Sequence, residues 1–423
     1  MWMPIATPSV VAPRRRSVPA LALVMALLVG ACTSAPAPAP TTAPKTEAKP
    51  TTAAPAAASP VASPGASAAA SPDVAASPAP APSPAASPAT SPAASPAAKP
   101  AGQVSPAGPK PATRERATVA IGSRFAVAYL QFDVAKALGY YEDENLDADL
   151  QYLAGGTQAA TALLSGQAQF SGNSMDHIVK AKIEGKDLLL VASLTTAPGI
   201  TMVVNQKYAD QIKSPADLKG RRVGVTALGA GTHTLLLNVI AKAGLTPNDV
   251  QIVPVGSDTM PAALEADQVV AAMGNDPYVS QLKQAGKAYF LADFTTEADT
   301  ARYIGFPYQF TGLLTTADLA TSKPDLTQRM VNAITRACQF IGSNTPRQVA
   351  ERLPREVTGD DLEVYVLGLE HNYPALSKDC LANEAGVQNF VQSQVVAGIV
   401  TADKAPKATD LFDTSFARKT LGR

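Results

Sequence analysis

Residues 33–113 are mostly Ala, Pro and Ser, with repeated units such as Ala58, Ser59, Pro60 and Ala94, Ser95, Pro96. A segment with so few large apolar side chains cannot bury enough surface to offset chain entropy. Proline removes backbone donors and favours extended, polyproline-like geometry, so about 80 such residues reach at most roughly 250 Å at about 3.1 Å per residue. We therefore expect residues 32–116 to be a tether. Whatever folds must lie in residues 117–423, enough chain for two modest lobes rather than one core.

Ahead of the tether, Arg14, Arg15 and Arg16 precede an apolar run over residues 20–29 that ends in Gly30, Ala31 and Cys32. A basic start, a short apolar stretch and small residues before a cleavage point make residues 1–31 an expected secretory signal peptide. The run is shorter than the roughly 20 residues that span a bilayer. Val29, Gly30, Ala31 and Cys32 resemble a bacterial lipobox, which implies that Cys32 becomes the lipidated first residue of an exported protein anchored to the membrane on its periplasmic or extracellular face. An ordinary signal followed by a chance cysteine is the alternative, and it too sends the chain out of the cytoplasm.

After Arg116 there are 26 Lys and Arg against 32 Asp and Glu, a net of −6. Such a surface is a poor partner for nucleic acid. With Cys32 taken by lipid, Cys338 and Cys380 are left as a possible disulfide in an oxidising compartment. The second reading stays open, because Leu326, Met330, Val331, Ile334, Ala337, Cys338 and Ile341 follow helical spacing and Cys338 fits there as a small apolar residue.

Short runs of Val, Ile and Leu alternate with helical patterns and glycine-bearing turns, which predicts α/β architecture with mainly parallel strands. Strands are expected over residues 118–121, 146–153, 188–194, 200–205, 222–226 and 250–255. Helices are expected over residues 125–138, from Gly155, Gly156 and Thr157 to about 164, and over 235–243. Ser214 and Pro215 open a capped helical turn.

Several segments in order resemble the type II periplasmic binding proteins of the nitrate, sulfonate and taurine uptake group, related to the thiamine-precursor-binding proteins. They are Gly139, Tyr140, Tyr141, Glu142; Asn145 to Leu150; Ala162 to Ala168; Ser214 to Val225; Gly231, Thr232, His233, Thr234; and Asp276, Pro277, Tyr278. The sequence departs from the family's usual aspartate at Gln169 and tryptophan at Asn275, and residues 117–423 contain no tryptophan. The resemblance implies two α/β lobes joined by two crossover segments, with residues 117–205 plus 303–423 in lobe one and residues 206–302 in lobe two. It implies a solute-binding lipoprotein of an ABC importer that binds a small molecule in the interlobe cleft and delivers it to permease and ATPase subunits. Such a protein is a monomer with no cofactor. The alternative is a ligand-sensing module for a membrane signalling receptor.

Open α/β sheets bind ligands beyond the carboxyl ends of their strands. This places Ser123, Arg124 and Phe125, Gly156 and Thr157, Asn173 and Ser174, Thr196, and Gly231, Thr232 and His233 among the candidate ligand contacts, and the resemblance adds Asp276 and Tyr278. Glycine admits a ligand to the backbone, hydroxyls hydrogen-bond it, and helix starts offer free N–H groups suited to an anion. Ordinary helix capping accounts for the same Ser and Thr residues in a structural reading. His177 and His371 have no partner in sequence, and no metal-binding motif occurs. Enzyme motifs are incomplete: Gly172, Asn173, Ser174, Met175, Asp176 lacks the second glycine of a nucleophile elbow, and Gly229, Ala230, Gly231 lacks the third of a dinucleotide loop. A binding protein, not an enzyme, is expected.

Overall fold

Val119, Ala120 and Ile121 are fully buried at the end of the first strand, and their β-branched and small side chains suit a sheet covered on both faces. The computed structural model describes residues 104–105 and 108–423. The expected signal peptide, the expected lipidation site Cys32 and most of the expected tether lie outside the described residues.

The strands are β1 (Glu115–Ile121), β2 (Leu146–Tyr152), β3 (Phe170–Ser174), β4 (Leu188–Ser193), β5 (Ile200–Asn205), β6 (Arg222–Val225), β7 (Gln251–Pro254), β8 (Ala271–Asn275), β9 (Ala288–Asp293) and β10 (Thr311–Thr316). They form two five-stranded sheets ordered β2-β1-β3-β10-β4 and β7-β6-β8-β5-β9. The fold is therefore mixed α/β with two sheets, as expected. Helices needed below are α1 (Leu130–Ala137), α2 (Gly156–Leu164), α3 (Asp176–Ile183), α4 (Gly231–Lys242), α5 (Tyr278–Gln284), α6 (Pro324–Ser343), α7 (Leu362–Asn372) and α8 (Glu384–Val396). Among the described residues no helix is long and apolar enough to cross a membrane.

Three sequence expectations need correction. First, β5 pairs with β8 and β9, so residues 200–205 belong to the second sheet and the outward crossover is residues 194–199. All six residues of β5 are buried, as are five of the six in β4, so burial pattern alone does not say which sheet either strand joins. The return crossover runs over residues 294–310, between β9 and β10, and the expected change of lobe near residue 303 falls within it. Second, β1 pairs parallel with β2 and β3, and β6 with β7 and β8, but β10 and β5 run antiparallel to both of their neighbours. Each is the strand by which the chain enters a sheet from the other lobe, so its direction is set by the crossover and not by a βαβ unit. Third, the folded part begins before residue 117. Ser105 N donates to Gln339 Oε1 at 3.0 Å, Arg329 Nη1 donates to Thr113 O at 2.9 Å, and β1 itself starts at Glu115. These anchors are polar and long-range, which composition does not reveal.

The buried apolar residues form one cluster on lobe one's outer side around Phe132, Phe170 and α6, and a smaller one in lobe two around Val203, Met260 and Leu264. The largest joins the lobes: Met175, Ile178 and Phe310 from lobe one meet Leu235, Leu236 and Val239 from lobe two, with Val387 and Phe390 of α8 beside them. Cys338 Sγ in α6 is bonded to Cys380 Sγ at 2.02 Å. The same Cys338 lies on the buried apolar face of α6, so both sequence readings of it meet in one residue.

Candidate functional site

Strand carboxyl ends from the two sheets face each other across a narrow cavity. From lobe one it receives Gly122 and Ser123 after β1, Gly156 at the start of α2, Ser174 at the end of β3, and Ala128, Tyr129, Phe310 and Thr311; from lobe two, Ile200, Thr226, Ala230, Gly231, Thr232, Ser257 and Asn275. It has about 30 Å³ of room for the centres of water-sized molecules. One such centre occupies roughly 10–15 Å³, so the cavity as it stands has room for the centres of about two waters.

Its lining is rich in neutral donors. Ser123 Oγ is buried, at 4% residue exposure, and has no hydrogen-bond partner. The first-turn N–H groups of a helix lack intrahelical partners and carry the positive end of the helix dipole. Two such starts, α2 from lobe one and α4 from lobe two, reach the cavity at Gly156 and Gly231. Both positions need glycine for close approach: a Cβ on Gly156 would lie 2.6 Å from Asn173 Oδ1, and one on Gly231 would meet the Phe310 ring and lie 2.9 Å from Ser174 Oγ. No Asp, Glu, Lys, Arg or His lines the cavity, and burial, then the nearby Asp176 charge, raises the Tyr129 phenol far above its usual range. The arrangement can hold an oxyanion or a polar group through neutral dipoles.

Of the residues expected from sequence, Ser123, Gly156, Ser174, Gly231 and Thr232 line this cavity, and the others do not. Thr232 Oγ1 accepts from Thr226 N at 3.1 Å and pairs with Thr226 Oγ1 at 2.8 Å, tying α4 to the end of β6. Asn173 Nδ2 donates to Gly156 O at 2.8 Å from behind the wall. Arg124 is exposed, with Cζ 5.4 Å from the Tyr152 ring centroid and 5.7 Å from that of Phe125. Phe125 meets Tyr278 edge-on at 6.3 Å across the lobes, and Tyr278 Oη donates to Asp258 at 3.2 Å. Thr157 Oγ1 donates to Leu228 O at 3.3 Å, and Thr196 N to Ala375 O at 2.8 Å in the crossover. His233 Nδ1 accepts from Gly229 N at 3.1 Å, so it is a local cap.

Asp276 is fully buried and serves the lobe contact. It accepts from Ser280 Oγ at 2.5 Å, and its Oδ2 lies 2.7 Å from His371 Nδ1. His371 Nε2 lies 2.8 Å from Asp293 Oδ2. With a carboxylate on each ring nitrogen, both nitrogens must donate, so the ring is an imidazolium. Burial opposes that charge, but the hydrogen bonds the ring donates to Asp276 and Asp293, and the charges of those carboxylates, push the group up to about 9.

Sequence reasoning missed Gly122, Ala128, Tyr129, Ile200, Thr226, Ala230, Ser257, Asn275, Phe310 and Thr311. Gly122 and Thr226 immediately follow parallel strands, a signal that the strand-end rule contains. Ile200 and Thr311 open the antiparallel strands, and Phe310 directly precedes β10. These three had no such signal.

The profile of the family described as NMT1/THI5 like matches residues 128–348. A solved protein of Bordetella bronchiseptica RB50 is 27% identical, with a TM-score of 0.68 over 73% of this chain and 97% of its own. The ligand-binding component of an ABC-type import system from Staphylococcus aureus, solved with zinc bound, is 13% identical with a TM-score of 0.59 over 73% of this chain and 99% of its own. The alkanesulfonate-binding protein SsuA of Xanthomonas axonopodis pv. citri bound to MOPS is 23% identical, with a TM-score of 0.58 over 71% and 100%.

Proposed function

Since the chain belongs to the NMT1/THI5-like family, we propose that it is the extracytoplasmic solute-binding protein of an ABC importer, taking a small oxyanion-bearing molecule into the interlobe cavity and passing it to the permease. The observation that carries this reading is Ser123 Oγ, buried and without a partner, at a cavity where helix starts from two lobes converge. A ligand gripped from both sides favours the closed form by its differential contacts. The names of two similar structures, an importer's ligand-binding component and an alkanesulfonate-binding protein, support the transport role and an oxyanion as ligand. The protein works by binding, without a catalytic step. The basic and apolar residues before Cys32 support export and lipid attachment, and acyl labelling that is lost in Cys32→Ala tests the anchor.

A melting-point panel with nitrate, bicarbonate, taurine, alkanesulfonates and pyrimidine precursors tests the ligand class. A true ligand at about 100 times its dissociation constant stabilises the fold by about 2.7 kcal/mol, a shift of several degrees. No shift with any oxyanion, or a shift with neutral compounds only, overturns the oxyanion assignment.

A further inference from the structure

At the loop after β6, lobe one reaches two consecutive carbonyls of lobe two. Lys180 Nζ in α3 donates to Gly229 O, and Thr157 Oγ1 in α2 donates to Leu228 O at 3.3 Å. The lysine is aimed from behind: Asp176 Oδ2, on a fully buried residue, lies 3.3 Å from Lys180 Nζ at the previous helical turn. Gly229 has φ +76°, a left-handed conformation that glycine adopts freely, and its N–H is held by His233 Nδ1. Both backbone groups of Gly229 are thus fixed, one within lobe two and one by lobe one. Two residues later α4 begins at Gly231, on the cavity wall.

The sheet order shows why these bonds differ from the other interlobe contacts. The crossovers leave from β4 and β9 and enter β5 and β10, toward one edge of each sheet. Asn372 Nδ2 to Gly199 O at 2.8 Å and His371 to Asp293 sit beside those strands and move little when the lobes rotate about the crossovers. Thr157 follows β2, an edge strand of the first sheet, and the 226–230 loop follows β6, next to the far edge of the second. A rotation about the crossovers separates that side most.

We propose that Lys180, seconded by Thr157, is an interlobe latch that positions the start of α4 against the cavity. It rests on the binding reading for its consequence: the latch holds the closed form without touching solute, so it governs how readily the cavity opens to release its contents. Lys180 is a positioning residue, acting through Gly229.

Hydrogen–deuterium exchange of the full chain without added solute tests it. In Asp176→Asn with Lys180→Met, which removes the lysine without leaving a buried charge unpaired, amides of residues 228–233 are expected to exchange about tenfold faster or more, while β1 and β6 keep native protection. Thr157→Val, which removes no charge, is expected to give about a threefold increase in the same segment, and Lys180→Arg to restore protection. Unchanged exchange over residues 228–233 in both altered proteins overturns the latch. Uniform loss of protection through β1 and β6 also overturns it, assigning the pair to folding. Because no solute is present, a failed melting panel leaves the latch standing, and a failed latch leaves the binding reading standing.

Discussion

Ser123 and Thr232 illustrate how the same residue type, at the same kind of turn, does two jobs. The Ser123 hydroxyl faces the cavity unpartnered, whereas that of Thr232 is spent on Thr226. Ser123→Ala is therefore expected to weaken solute binding by about ten- to a hundredfold, the worth of one hydrogen bond to a charged group, with the empty protein's melting point nearly unchanged. Thr232→Ala is expected to cost the empty protein about 1 kcal/mol as well, through the lost tie to β6. Titration calorimetry with the solute found by melting, alongside denaturation of both variants, separates the two; equal behaviour would refute the division. Sequence located both turns, because strand ends and glycine are local signals. It named Asp276 and His233 as ligand contacts and did not anticipate their partners: His371 and Asn372 lie 95 and 96 residues from Asp276, and the His233 ring is taken by a backbone N–H four residues back.

At the scale of elements, local pattern carried far. The expected helix from residue 155 to about 164 is α2 at Gly156–Leu164, and the expected strand over residues 200–205 is β5 itself. What pattern lacked was pairing: β5 looks the same whichever sheet it joins. Two element contacts yield predictions. The disulfide ties α6 to the segment before α8 across a separation of 42 residues, and in the chain-entropy picture closing such a loop adds about 4 kcal/mol. Paired Cys338→Ala and Cys380→Ala substitutions are expected to lower denaturant stability by a few kcal/mol without altering solute affinity; an unchanged midpoint would leave the bond without a stabilising role. The second contact is α4 against lobe one. A methyl at Gly231 would meet the Phe310 ring, so Gly231→Ala is expected to hold the lobes apart, weakening binding at least about tenfold, and to leave lobe two folded, since alanine suits a helix better than glycine. Native affinity in this variant would show that the contact relaxes cheaply.

For the whole molecule, the contacts that join the lobes include the apolar cluster around Phe310 and Phe390, the Lys180 contact, the Phe125–Tyr278 ring pair, and the His371 bridge by the crossovers. The bridge has a definite pH signature. The ordinary value of 6.5 for an unfolded histidine rises to about 9 for His371 in the fold, so the folded state binds more protons between these values. Stability from the bridge is then fully present below about pH 6.5 and is lost as pH rises through about 9. The partner carboxyl of Asp293 is raised by burial but held below its usual range by the hydrogen bond and charge of His371, so its contribution is present above the ordinary value of 3.8 and is lost as pH falls below it. Together they predict a plateau from about pH 5 to 6.5 and a decline toward pH 9, within a range where most other carboxylates stay charged. Denaturant unfolding of the native protein and of His371→Gln across pH 5 to 10 checks this: the variant is expected to be less stable at pH 6 and to converge on the native protein by about pH 10. Parallel curves, with a constant gap at every pH, would mean that His371 supports the lobe contact by packing on Phe290, whose ring centroid lies 4.9 Å from its own, and not by its charge.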